Sequence, residues 1–218
     1  MPKILIATSN AGKLRDFAGA AVPFGVTVGG LPNFHLLPEV VEDGLTFEAN
    51  ARKKATEYSL HAPGSLVLAD DSGLEVDSLR GAPGVHSARY AALEGLGGAF
   101  KSTSADASGI EPEAGSGNSS DHANNARLLR EMALAEVRTG RFVCWLAAAR
   151  DGVVLATFSG KVEGVILGAP RGRQGFGYDP LFFFPPLNKT LAELTAEEKA
   201  LVSHRGSAFR EFLEWLQG

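Results

Sequence analysis

Apolar positions fall into short runs and short periodic stretches, which predict strands alternating with helices. Residues 3–9 (KILIATS) read as a short buried strand followed by a turn at Asn10–Lys13. Leu14, Phe17, Ala18 and Ala21 recur at helical spacing, and Pro23 limits that helix. Thr46 suits the N-cap of a second helix with Phe47, Ala51, Ala55 and Tyr58 on one face. Leu66–Ala69 opens a strand that runs into Asp70-Asp71-Ser72-Gly73, and Leu74–Leu79 alternates for part of its length. Asp121 caps a third predicted helix carrying Leu128, Leu129, Met132 and Ala135. Phe142–Arg150 and Val153–Ser159 flank Asp151-Gly152, a strong hairpin signature, so the sheet holds at least one antiparallel pair. Phe209, Phe212, Leu213 and Leu216 mark an amphipathic C-terminal helix. The alternation predicts an α/β class with a mixed sheet and flanking helices.

Two stretches break the pattern. Residues 24–45 are interrupted by Gly29-Gly30, Pro32 and Pro38. Residues 94–120 are more than half Gly, Ser or Ala and predict a flexible surface loop within one domain spanning 1–218. At 218 residues, 44% hydrophobic and 21% charged, the chain has the composition of one ordinary globular domain. Its longest apolar run, Phe142–Ala149, is far short of the ~20 residues that span a bilayer. The single cysteine, Cys144, excludes an intrachain disulfide. Polar Ser9, Asn10 and Lys13 follow the first apolar run too soon for a secretory signal, so a cytoplasmic protein is expected. A net charge of −4 argues against a bulk grip on long nucleic acid, but not against a small anion held by a few converging cations.

Four segments could carry chemistry. Thr8-Ser9-Asn10-Ala11-Gly12-Lys13 joins a strand to a helix, where backbone N–H groups and a lysine attract phosphate. It is not a Walker A loop, and it suits a capped turn with a solvated lysine equally. In Asp70-Asp71-Ser72-Gly73 two adjacent carboxylates call for a cation or proton to relieve them. Strand alternation sends them to opposite sides, one to a pocket as base or metal ligand, the other to a helix end or lysine. A turn with Asp as cap is the competing reading. Oxygen-only ligands suit Mg²⁺. Gly175-Phe176-Gly177-Tyr178-Asp179-Pro180 sets an aromatic face, able to stack on a base, beside a carboxylate able to accept from ring N–H groups. An aromatic-rich core loop would look similar. Ser203-His204-Arg205-Gly206 places a guanidinium before the last helix, where it could read a carbonyl or phosphate or lie exposed as part of a cap.

Read together, SNAGK, DGLTFEANARKKA, LADDSGLEVDSLRGAPGVHSARYA, FGYDP and ELTAEEKALVSHRG resemble, in order, the non-canonical purine nucleoside triphosphate pyrophosphatases, enzymes of inosine and xanthosine triphosphates. The resemblance covers nearly the whole chain except 94–120. It implies a mixed-sheet fold in two lobes around a nucleotide cleft, a homodimer, Mg²⁺, and hydrolysis of ITP, dITP and XTP to monophosphate and pyrophosphate. Carried over by motif, Thr8–Lys13 holds the triphosphate, and Asp71 is the general base and a metal ligand. Glu42 is the second metal ligand, and Ser72 contacts substrate. Phe176, Gly177, Tyr178 and Asp179 hold the base, and Lys189, His204 and Arg205 complete the nucleotide site. Lys54 is a lesser candidate for phosphate contact. One departure stands out: Ala49 replaces the glutamate the family often carries before the residue matching Asn50, and Glu48 lies about 100° around the helix.

On this reading Lys13 and Lys189 stabilise the departing oxygens, and a donor such as Arg205 selects a 6-keto purine, because a 6-amino group would leave it unpaired. Stacking on Phe176 adds affinity without choice. Three other readings compete: a pyrophosphatase of modified pyrimidines or dUTP, a nucleotide-binding module without turnover, and a nucleic-acid-binding protein, which the charge disfavours.

Overall fold

The computed structural model describes residues 4–93 and 118–218. Its strands are β1 (Ile4–Ile6), β2 (Val28–Gly30), β3 (Val67–Val76), β4 (Thr139–Arg150), β5 (Val153–Ile166), β6 (Phe182–Phe184) and β7 (Lys189–Thr190). Its helices are α1 (Ala11–Ala21), α2 (Phe47–Ser59), α3 (Asp121–Glu131), α4 (Ala196–Val202) and α5 (His204–Gln217). The strands form one mixed seven-stranded sheet in the order β2-β1-β3-β4-β5-β6-β7. β2, β1 and β3 run parallel, and the remaining neighbours pair antiparallel. Most of the predicted loop at 94–120 lies outside the described residues. No described helix is long and apolar enough to cross a membrane.

The hairpin turns at Asp151 (φ 49°) and Gly152 (φ 82°), two positive-φ residues whose twist matches the flanking strands. Its strands extend beyond the apolar runs, because Thr139–Arg141 and Gly160–Ile166 continue to pair across them. The predicted cap Thr46 accepts from Ala49 N at 3.1 Å. At α3 the cap is Ser120 rather than Asp121, and the Asp121 carboxylate is turned instead to the Gly177 N–H.

Asp70–Gly73 is not a turn. β3 is unbroken and pairs residue for residue with β4 from Val67↔Ala149 to Val76↔Gly140. Pleating then divides its side chains. Leu68 packs with α1 and α5 in a core of Ile4, Ile6, Phe17, Leu146, Phe209 and Phe212. Val67 and Ala69 pack with α2 in a second core of Leu5, Ala51, Ala55 and Ala147. Leu74, Val76, Leu128, Phe142 and Phe182 build a third. Asp70 and Asp71 are buried between these layers.

β1 stops early. It meets β3 only at Leu5↔Val67 and Ile6↔Leu68, with Ala7 N donating to Leu68 O at 2.8 Å. β3 runs on without that neighbour. There Lys13, at the start of α1, reaches Asp70, and Asn50, bonded to Gly44, reaches Asp71.

Candidate active site

The loop after β1 is shaped by its own side chains. Asn10 caps α1, accepting from Gly12 N at 2.8 Å and Lys13 N at 3.2 Å, and Thr8 Oγ1 accepts from Asn10 N at 3.1 Å. Ser9, Asn10 and Ala11 are exposed, so the capped helix start faces solvent. Lys13 turns inward, its Nζ 3.0 Å from Asp70 Oδ2.

Asp70 begins a buried chain of alternating charge. Arg205 Nε lies 3.5 Å from its Oδ2, and Ser72 Oγ donates to it at 3.1 Å. Arg205 also donates to Ser72 Oγ (2.7 Å) and to Asp16 (3.3 Å). Lys199 bridges Asp16 (3.6 Å) and Asp179 (2.7 Å). Lys13, Arg205 and Lys199 thus alternate with Asp70, Asp16 and Asp179, so burial leaves no net charge unmatched. Burial alone would raise the Asp70 pKa, but Lys13, Arg205 and Lys54 together hold it well below the usual carboxylate value. For Asp179 burial prevails over Lys199 and the pKa rises. Phe176 lies over this chain, its ring centre 4.8 Å from Lys199 Nζ and 5.0 Å from the Arg205 guanidinium carbon. Its N–H donates to Asp179 at 2.9 Å. The ring also rests on Gly12, where a side chain would collide with it.

Asp71 looks the other way, toward α2. Its Oδ2 accepts from Asn50 Nδ2 at 2.9 Å, and Asn50 Oδ1 accepts from Gly44 N at 2.8 Å. Lys54 Nζ lies 2.6 Å from Glu42 and 3.5 Å from Asp71 Oδ1. Burial and then the neighbouring Glu42 raise the Asp71 pKa against the pull of Lys54. The carboxylates hold Lys54 protonated although burial opposes it. Two carboxylates therefore converge on one cationic centre. No group of three or more His, Cys, Asp or Glu side chains suited to a metal occurs among the described residues. Lys54 Nζ stands between the two carboxylates; two oxygen donors would fit Mg²⁺ only with water or substrate oxygens completing its shell.

A family model described as the Ham1 family matches residues 4–215. The chain belongs to the Ham1 family. Among curated Ham1-type relatives, the dITP/XTP pyrophosphatase of Acidobacterium capsulatum is 47% identical over 99% of this chain and 98% of its own length. That of Geobacter sulfurreducens is 44% identical over 99% and 98%. A HAM1 protein structure from Coxiella burnetii superposes with a TM-score of 0.76 at 32% identity, covering 100% of this chain and 99% of that one. The Staphylococcus aureus Ham1 structure gives 0.75 at 34%, covering 99% and 98%.

Within this Ham1 chain the structure gathers most, not all, of the residues expected of the site. Lys13, Ser72, Phe176, Asp179 and Arg205 meet on the α1/α5 side, and Glu42, Asp71 and Lys54 on the α2 side. Lys189 does not join them: it sits on β7 and pairs with Glu198 at 3.0 Å. Lys199, in the ELTAEEKALVSHRG motif itself, stands beside Phe176 instead. His204 is 1% exposed and stacks on Phe142 at 4.9 Å, with neither ring nitrogen hydrogen-bonded. Burial, then Arg205 and Lys199, depress its pKa and keep it neutral. Tyr178 is buried, its hydroxyl donating to Ser87 O at 2.8 Å. Glu48 does not stand in for the missing glutamate; it turns to Arg52 at 2.8 Å and toward Thr157. Sequence reasoning missed Asp16, Asn50 and Lys199. Only Lys199 carried a local signal, the Thr195…Glu198 capping box that starts its helix.

Proposed function

We propose that the protein hydrolyses deaminated purine nucleoside triphosphates (ITP, dITP and XTP) to the monophosphate and pyrophosphate, keeping such bases out of nucleic acid. One observation carries the reading: neighbouring residues of β3 link a capped helix start with Lys13 and the Phe176 ring, through Asp70, to a convergent Glu42–Asp71 pair, through Asp71. These would serve as a phosphate site, a platform for a base, and a site for a cation and general base. The names of the curated relatives support the same substrates.

Glu42 and Asp71 would hold Mg²⁺, whose contribution is to offset phosphate charge and acidify water. Asp71 is the proton acceptor for the water that attacks the α-phosphorus. Asn50 fixes the carboxylate's orientation from behind. Lys13, beside the exposed start of α1, would offset charge on the departing oxygens. Phe176 stacks on the base. The Arg205 guanidinium, its carbon 5.0 Å from the Phe176 ring centre, would be the donor for a 6-keto oxygen, while a 6-amino group would leave it unpaired. A single domain, a homodimer and a cytoplasmic location complete the reading, and sedimentation of the purified protein tests the dimer.

The deciding experiment is pyrophosphate release from ITP, dITP, XTP, ATP and GTP, with Mg²⁺ and with chelator, for wild type and Asp71→Asn. Metal-dependent release confined mainly to ITP, dITP and XTP and lost in the variant is expected. Equal rates on ATP would refute the selectivity argument, and binding of ITP without turnover would refute the activity.

A further inference from the structure

The loop that carries Phe176 is held from outside the site. Gly177 has φ +62°, a left-handed conformation at the centre of Phe176–Asp179. Its N–H donates to Asp121 Oδ2 at 2.7 Å, and its carbonyl accepts from Asn125 Nδ2 at 2.9 Å. Asp121 and Asn125 are four residues apart on one face of α3, so one helix grips both backbone polar groups of one residue. The helix is itself anchored. Asn124 accepts from Ala91 N at 2.8 Å and donates to Ala88 O at 3.2 Å, and Leu128 is buried in the core. On its far side the loop is tied by Tyr178 to Ser87 and by Asp179 to Lys199. Asn125 Oδ1 is buried with no hydrogen-bond partner among the described residues, so within them the amide is held through its bond to Gly177.

We propose that Asp121 and Asn125 are positioning residues for base recognition: by clamping Gly177 they set where the Phe176 ring and Asp179 stand. This rests on the reading of Phe176–Asp179 as the base-holding loop. Both side chains bond to the loop rather than to Asp71 or Lys13, so their loss weakens binding of the base and spares the phosphate loop and the attack on phosphorus.

The test uses the full chain. Asn125→Asp keeps the side-chain shape but sets an acceptor against the Gly177 carbonyl; Asp121→Ala removes the acceptor for the Gly177 N–H; Asp121→Asn retains an acceptor oxygen. IMP and inorganic triphosphate binding are measured by calorimetry, with KM and kcat for ITP. Asn125→Asp and Asp121→Ala are expected to weaken IMP binding and raise KM about tenfold, with triphosphate affinity and kcat within about twofold of wild type. Asp121→Asn is expected to stay close to wild type. Should Asn125→Asp fail to fold, Asp121→Ala, at the exposed start of α3, decides the matter alone. Unchanged IMP affinity, equal weakening of IMP and triphosphate, or a fall confined to kcat overturns the inference. Absence of any turnover of ITP or XTP by wild type overturns the functional reading, and this inference with it.

Discussion

Gly12→Ala isolates the contact between the phosphate loop and the base loop. A Cβ at Gly12 would lie 2.5 Å from Cδ1 and 2.7 Å from Cε1 of Phe176. Carbon atoms pack at about 3.5–4.0 Å, so the ring must withdraw by about 1 Å. The backbone does not resist the change. Gly12 lies in the first turn of α1, and in a helix interior alanine is favoured over glycine by up to about 1 kcal/mol. Against that gain stands the partial loss of the Phe176 contacts with Lys199 and Arg205, worth about 0.5–2 kcal/mol. The two offset, and the unfolding free energy should stay within about 1 kcal/mol of wild type.

Binding has no such offset. Stacking of a base on an aromatic ring contributes about 1–3 kcal/mol, which corresponds to a KM increase of about five- to 150-fold for a displaced ring. The assay pairs steady-state pyrophosphate release from ITP with urea unfolding. In a Phe176→Ala background most of the Gly12→Ala effect should vanish, leaving only the closer approach to Asn10 Oδ1, 3.0 Å from the added Cβ. An unchanged KM in the single variant would refute the contact. An equal loss in both backgrounds would show that alanine acts on the phosphate loop itself.

Further outcomes follow from the same geometry. Asp70→Asn strips the buried partner of Lys13 and Arg205 and should cost about 3–5 kcal/mol in urea unfolding; a loss under about 1 kcal/mol would contradict the charge chain. Asp71→Asn should lower kcat by about 10²–10⁴ yet destabilise less than Asp70→Asn, because the surroundings of Asp71 disfavour its charge. Buried His204 stays neutral while the unfolded chain takes up a proton near pH 6.5, so stability is full above that pH. It falls as pH drops below it, by up to about 1.4 kcal/mol per unit. His204→Gln should flatten that slope in unfolding measured at pH 7.5 and 5.5. Burial raises the Cys144 thiol pKa, so a thiol reagent should modify it slowly in the native protein and rapidly in urea.

Local pattern carried the periodic elements and the hairpin, because helical spacing and an Asp-Gly turn report on residues close in sequence. It also carried the parting of Asp70 and Asp71, since a pleated strand sends neighbours to opposite faces. What it did not carry was that the Asp70–Asp71 stretch of β3 lies beyond its parallel neighbour β1. That depends on β1 ending at Ile6 while β3 continues to Val76, a difference in length between strands 60 residues apart that no local pattern encodes. The position of Lys199, which the sequence reading did not single out beside Lys189, was hidden for the same reason. Both lie near the C-terminal motif, but only the packing of α4 and α5 on α1 brings one of them to Asp16 and Phe176. Asn50 was hidden differently: it reads as an ordinary helical residue, and its role appears only when the Gly44 turn folds back onto it and Asp71 closes from the sheet. The residues that hold the chemistry in place are thus recruited by tertiary contacts, and a variant such as Asn50→Leu should lower kcat at constant KM by releasing the Asp71 carboxylate. Equal losses in kcat/KM and in KM would mean that Asn50 acts on substrate binding rather than on the base.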